Sequence, residues 1–195
     1  MHALQVLADE HQSLAGIFHA LHFALKEIAA GRLAPDMKWL QAVAHYLEAY
    51  PAQCHHPREE QLLFDRLRAR CTDAEHRALL DALTAQHQQA GALAGELVAA
   101  VAQYQQQLLG VVGLIAVLDR YADFYRELML REEQQMLPLL HTYLSPQDWA
   151  EMDVALAAEA ALPAVATVNA QFAALFSRLV AAAPEPVGLG LPYQD

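Results

Sequence analysis

Four long stretches of apolar residues at helical spacing, each interrupted by side chains that bind cations, constrain this chain more than any other feature. In the first, Leu4, Leu7, Leu14, Phe18, Leu21, Leu25 and Ile28 recur mostly three or four residues apart, the period that lines one face of an α-helix. The pattern predicts helix A from about His2 to Ala30, with Gly31 as its stop. Pro35-Asp36 opens helix B, expected from about Met37 to Arg70 with Asp36 as its cap. Pro51 and Pro57 lie inside it, and because each deletes an internal hydrogen bond a kink or short break is expected. Thr72-Asp73-Ala74-Glu75 reads as a cap and acidic first turn for helix C, about Ala74 to Leu108. Gly110 and Gly113 mark the next turn, and helix D continues to about Leu144.

Two shorter helices follow. Ser145-Pro146-Gln147-Asp148 starts one that reaches about Glu159, and Pro163 starts another that ends near Ala183. The expected architecture is all-α: an up-down-up-down four-helix bundle over residues 1–144, additional C-terminal helices over 145–183, and a flexible tail over 184–195. Composition agrees, since Ala and Leu dominate a 55% apolar chain while aromatics supply only 8%.

Charge narrows the partners. A net charge of −11, with 12 scattered basic residues, argues against nucleic acid, which needs clustered Lys and Arg to displace counterions. An acidic surface also disfavours anionic membranes. The longest apolar run, Leu108 to Leu118, covers about half of the ~20 residues a membrane span needs, so no membrane role is expected. The N-terminus has no basic region or cleavage-like site. Cys54 and Cys71 form no C-x-x-C pair, which fits free thiols in a reducing cytoplasm.

The metal-capable residues interrupt the apolar faces at matched depths. Helix A carries Asp9-Glu10-His11, helix B carries His55-His56-Pro57-Arg58-Glu59-Glu60, helix C carries Gln86-His87, and helix D carries Arg131-Glu132-Glu133. In an antiparallel bundle, residues equidistant from a turn share a level. His11 lies 22 residues before the A–B turn near residue 33, and His55 lies 22 after it. Glu59 lies 13 before the B–C turn near 72, and His87 lies 15 after it. His87 and Glu132 stand about 22 residues on either side of the C–D turn. Four helices thus bring imidazoles and carboxylates to one layer. A buried polar layer is costly unless something pairs it, and this donor set suits iron, manganese or zinc.

His55-His56-Pro57-Arg58-Glu59-Glu60-Gln61-Leu62-Leu63-Phe64, with Glu10-His11 before it, resembles the hemerythrin-like HHE cation-binding domains. Met129-Leu130-Arg131-Glu132-Glu133-Gln134-Gln135-Met136-Leu137-Pro138 resembles that family's fourth-helix motif. The resemblance covers about residues 4 to 144. It implies a non-haem di-iron site inside the bundle, with His11, His55 and His87 as terminal ligands and Glu59 and Glu132 as bridging carboxylates. The family pattern expects a further histidine where Leu128 stands. That departure is compatible with an open coordination position or with a single ion.

On helix B, His55 and Glu59 share a face, while His56 and Glu60 point about 100° away. His55 with Glu59 is the pair expected to face inward, with His56 and Glu60 on a flank. Glu10 and Glu133 are expected either in solvent or behind the metal-binding imidazoles. His22 and His45 also fall level across the A–B turn, but only Glu48 accompanies them, and a surface role is expected. His2, His19, His76 and His141 read as surface residues, and Cys54 as a packed small apolar side chain.

The function expected is binding or sensing of O2 or NO, or iron handling, rather than catalysis. The alternatives are an oxidoreductase acting on peroxide or NO, and a metal-depleted helical scaffold. The C-terminal helices either cover the bundle or pair two copies as a homodimer.

Overall fold

The computed structural model describes residues 2–194; Met1 and Asp195, the outer ends of the expected bundle and tail, lie outside the described residues. The described residues are helical with no strand. α1 spans His2–Ala29 and α2 spans Met37–Tyr50. The second run continues through a π-helical turn at Pro51–His55, α3 at His56–Glu59, a second π turn at Glu60–Phe64, and α4 at Asp65–Arg70. α5 covers Ala74–Gln105 and α6 covers Val111–Arg131. A third π turn, Glu132–Met136, leads into α7 at Leu137–Tyr143. α8 (Pro146–Ala160) and α9 (Pro163–Ala182) complete the order.

The caps explain most boundaries. Asp36 accepts from the Trp39 amide at 3.1 Å, and Asp73 accepts from the amides of Glu75 and His76; each satisfies donors that the first helical turn leaves free. Ser145 and Asp148 exchange hydrogen bonds in a full capping box. Gly31 takes φ +70° after α1, the left-handed conformation that glycine adopts without a Cβ penalty. At the α5–α6 turn the left-handed residue is Gln107, φ 59°, so helix C ends at Gln105 rather than near Leu108. Gly110 is the N-cap of α6. Gly113 sits inside its first turn, beneath the Leu109 side chain.

The expected break at Pro51 and Pro57 is replaced by a change of hydrogen-bond step. The His56 amide reaches Pro51 O, the Asp65 amide Glu60 O, and the Leu137 amide Glu132 O. These are five-residue steps, each adding one residue to a turn. Pro57 and Pro138 lie two residues beyond the first and third π turns. Neither proline has an amide hydrogen to donate to the residue four before it, and the widened turn takes up that irregularity.

α1 packs on α2 and α6, and α5 packs on the same two helices, so the four enclose a shared core. Leu14, Leu21, Leu25, Leu40, Leu47, Leu97 and Leu118 are fully buried there, each worth about 1.5–3 kcal/mol relative to exposure. Tyr121 donates to Leu47 O at 2.9 Å across the core. α8 packs on α1 and α9, and α9 packs on α2. Trp39 Nε1 fastens α9 by donating to Leu179 O at 3.0 Å. After α9 the chain turns back, with the amides of Gly190 and Leu191 donating to Ala183 O and Ala181 O. Among the described residues, α9 is the helix long and apolar enough to cross a membrane, a feature the run-length reading passed over. Here it lies along the bundle with Phe172 and Leu179 buried.

Candidate metal centre

The three π turns are where the polar layer forms. The first ends on His55, the second begins immediately after Glu59, and the third begins on Glu132. Such turns often occur at functional sites because the added residue re-aims the side chains beside it. His11 arrives from α1 and His87 from α5. All five are buried, Glu59 and Glu132 to 99%.

The atoms that face inward are consistent. His11 Nε2 lies 3.6 Å from Glu59 Oε1 and 3.5 Å from Glu132 Oε2. His55 Nε2 and His87 Nε2 each lie 3.5 Å from Glu59 Oε2, and His87 Nε2 lies 3.0 Å from Glu132 Oε1. Two donor groups result, His11–His55–Glu59 and Glu59–His87–Glu132, each with ligand atoms within 4.8 Å of one another and Glu59 common to both. Two donors each ~2.1 Å from one ion stand about 3.0 Å apart at a right angle and about 3.4 Å apart at the tetrahedral angle. The observed separations, 3.0–3.6 Å, begin at the lower value and run slightly past the upper one. His11 Nε2, Glu59 Oε2 and Glu132 Oε2 are buried without a hydrogen-bond partner, a cost the fold would not carry without something to satisfy them.

Each inward imidazole is held from behind by a carboxylate on its other nitrogen. His11 Nδ1 meets Glu133 Oε1 at 3.1 Å, His55 Nδ1 meets Glu10 Oε2 at 2.9 Å, and His87 Nδ1 meets Glu60 Oε1 at 2.7 Å. With Nδ1 held as the donor, loss of the Nε2 proton leaves on that atom the lone pair a cation requires. Glu10 is itself fixed by the Tyr50 hydroxyl, which donates at 3.0 Å, and by the buried Arg58 guanidinium.

Electrostatics follow from the crowding. Burial would lower the His11 pKa, but the close approach and charge of Glu59, then the Glu132 charge and the Glu133 hydrogen bond, push it up to about 9. His87 is raised in the same way, burial being outweighed by Glu132 and Glu59. Burial resists ionisation of Glu59, yet His55, His11 and His87 hold its carboxyl below the usual range. Glu132 is raised by burial and by the neighbouring Glu59 charge. The layer therefore concentrates negative charge that protons on the histidines offset, and a cation can take their place.

The sequence-derived residues His11, His55, Glu59, His87 and Glu132 all come together. Helix B differs from its expected facing: His56 is buried beside the site instead of lying on a flank, with Nε2 3.1 Å from the Tyr125 hydroxyl. The five-residue turns on either side allow adjacent histidines both to face inward. Glu60, read as the companion of His56, holds His87 instead. Arg58 and the Tyr125–His56 pair carried no signal in the sequence, because their partners come from distant segments. Leu128 is buried on α6 one turn before Glu132, and Glu127 beside it is exposed. The level pair His22 and His45 stays apart from the metal layer: His22 pairs with Asp119 at 3.2 Å, and His45 is exposed.

A family model described as the hemerythrin HHE cation binding domain matches residues 2–140. No curated protein and no solved structure matches the chain.

Proposed function

The chain belongs to the hemerythrin HHE cation-binding domain family, and from that premise we propose that it binds non-haem iron, two ions, and through them binds or senses O2 or NO. The observation that carries the reading is the convergence of His11 Nε2, Glu59 Oε2 and Glu132 Oε2, buried and without hydrogen-bond partners, between two donor groups that share Glu59. In this proposal His11, His55 and Glu59 hold one ion and His87, Glu132 and Glu59 the other. The 3.5 Å approach of His11 to Glu132 brings the two donor groups together and supports Glu132 as part of the site. The up-down-up-down arrangement is supported by the packing of α1 and α5 each against α2 and α6. The free, buried Cys54 and Cys71 support a cytoplasmic setting.

Iron, when bound there in its ferrous form, would supply the electrons and the coordination position that a diatomic ligand needs. The protein's own contribution is orientation and exclusion of water. Glu133, Glu10 and Glu60 fix the three imidazoles, and buried Leu14, Leu62 and Leu83 wall the layer. Leu128 stands where the family pattern has a fourth imidazole. One donor fewer on that side would leave a bound ion with an open position for a small ligand.

Metal analysis of protein purified without chelator or polyhistidine tag tests the reading. Two irons per chain is the expected result, one iron or zinc or manganese would revise the ligand set, and none would refute metal binding. A reduced, iron-loaded protein whose absorption is unchanged by O2 and by NO would refute gas binding.

A further inference from the structure

Three surface grooves reach the residues around the metal layer, and their charges differ. The groove beneath α8 and α9 ends on Glu10 and Arg58. The groove between α1 and α6 ends on His11 and Glu133 but carries Arg126. The third, about 460 Å³, runs between the second helical run and α5 and ends on His56 and His87. Its walls bear Glu48, Glu60 and Asp65, and its described lining includes no Lys or Arg. Arg68, which approaches Asp65 of this lining at 3.5 Å, is shared with Asp81 at 3.4 Å and also bonds Thr84.

We propose that this third groove is the route by which the divalent cation enters the site, past Glu48 and Asp65 to Glu60 and inward at His87. The inference rests on the metal-binding reading above. A cleft lined by one sign of charge concentrates ions of the other and speeds their capture, and carboxylate oxygens suit a cation that still carries water. Glu60 joins the two environments, since a third of its side chain is exposed while Oε1 holds His87 Nδ1 at 2.7 Å. His87 in turn presents Nε2 to Glu59 and Glu132. A cation at Glu60 is therefore one imidazole away from the paired carboxylates. The other two grooves would set a guanidinium in its path, Arg58 paired with Glu10 and Glu159 or Arg126 paired with Asp123, whereas the third has none in its described lining.

Gly91 makes the route testable. It lines the groove on α5, and a Cβ there would meet nothing within 4 Å, so a side chain can be added at the groove wall without a clash at its first atom. The experiment uses the full chain, stripped of metal, and follows Co²⁺ uptake by its visible absorption after rapid mixing, with final cobalt content measured separately. Glu48→Gln with Asp65→Asn should slow uptake about tenfold at low salt, with the difference shrinking at high salt. Gly91→Trp should slow it at any salt, and Ala15→Trp, in the groove between α1 and α6, should leave it unchanged. Final cobalt content should match the unmodified protein in all three. Unchanged rates in the charge variant and in Gly91→Trp, or slowing by Ala15→Trp instead, would overturn the route. Should Gly91→Trp not fold, the charge variant alone decides. Failure of the unmodified chain to take up Co²⁺ at all would refute the metal-binding reading, and the route with it.

Discussion

The imidazole of His56 lies flat on that of His87, with ring centroids 4.0 Å apart and planes inclined by 3°. Their surroundings push the two rings in opposite directions. Burial, then His87 and His55, push His56 down to about 2, whereas the surrounding carboxylates raise His87. A neutral His56 can accept at Nε2 from the Tyr125 hydroxyl, 3.1 Å away.

That pair predicts a non-additive stability change. His56→Phe keeps a flat ring in place but leaves the buried Tyr125 hydroxyl unpaired, and should cost about 1–3 kcal/mol. Tyr125→Phe should cost a similar amount by orphaning the imidazole. The double variant should lose clearly less than the sum, because it removes both partners together. Urea unfolding of the four proteins measures this, and additive losses would show that the hydrogen bond is absent in solution.

Leu128→His tests the missing donor. In metal-free protein the substitution places an imidazole where a 1% exposed leucine packs, and should cost about 1–3 kcal/mol of stability. With limiting iron it should tighten binding of the second ion and so raise its occupancy. Metal titration followed by elemental analysis reads both effects. Unchanged stoichiometry and affinity would place position 128 outside the coordination sphere.

His11 sets a pH dependence. Its folded pKa is raised from 6.5 to about 9, so its contribution to the metal-free fold is fully present below about pH 6.5 and lost as pH rises through about 9. His11→Gln should therefore lower the Tm of stripped protein more at pH 6 than at pH 9.5. A cation must displace the same proton, so metal affinity should climb between these pH values by up to about tenfold per unit. Affinity independent of pH would mean His11 carries no proton in the free site.

Asp148 offers a check far from the metal. It receives Ser145 in the capping box and lies 2.7 Å from Arg70 Nη2, contacts that lower its carboxyl to about 2. A depressed acid stabilises the fold above its unfolded value of about 3.8, and that contribution is lost as pH falls through about 2. Asp148→Asn should reduce the Tm at pH 7, with the gap closing as the pH is taken from about 4 towards 2. A gap that stays constant with pH would assign the effect to lost packing.

Much of the site was legible as arithmetic. His11 and His55 stand 22 residues from one turn, and His87 and Glu132 about 22 from another, because a helix converts residue number into height at a fixed rise. Facing was harder to read. The 100° rule separates His55 from His56, but five-residue turns on both sides of His56–Glu59 change the angle per residue, and both histidines become buried. Which carboxylate supports which imidazole was not legible at all. Glu10 is adjacent to His11 in sequence yet holds His55, 45 residues away, while Glu133, 122 residues away, holds His11.

The sequence by itself determined the helices, their caps and the common depth of five donors, since periodicity, capping and rise are local properties of the backbone. Only the tertiary structure decided the orientation of those donors, their pairing with Glu10, Glu60 and Glu133, and which groove remains open to solvent. Those depend on how one helix turns against its neighbour, a rotation fixed by the packed core and altered by each π turn, and no spacing within a single segment records it.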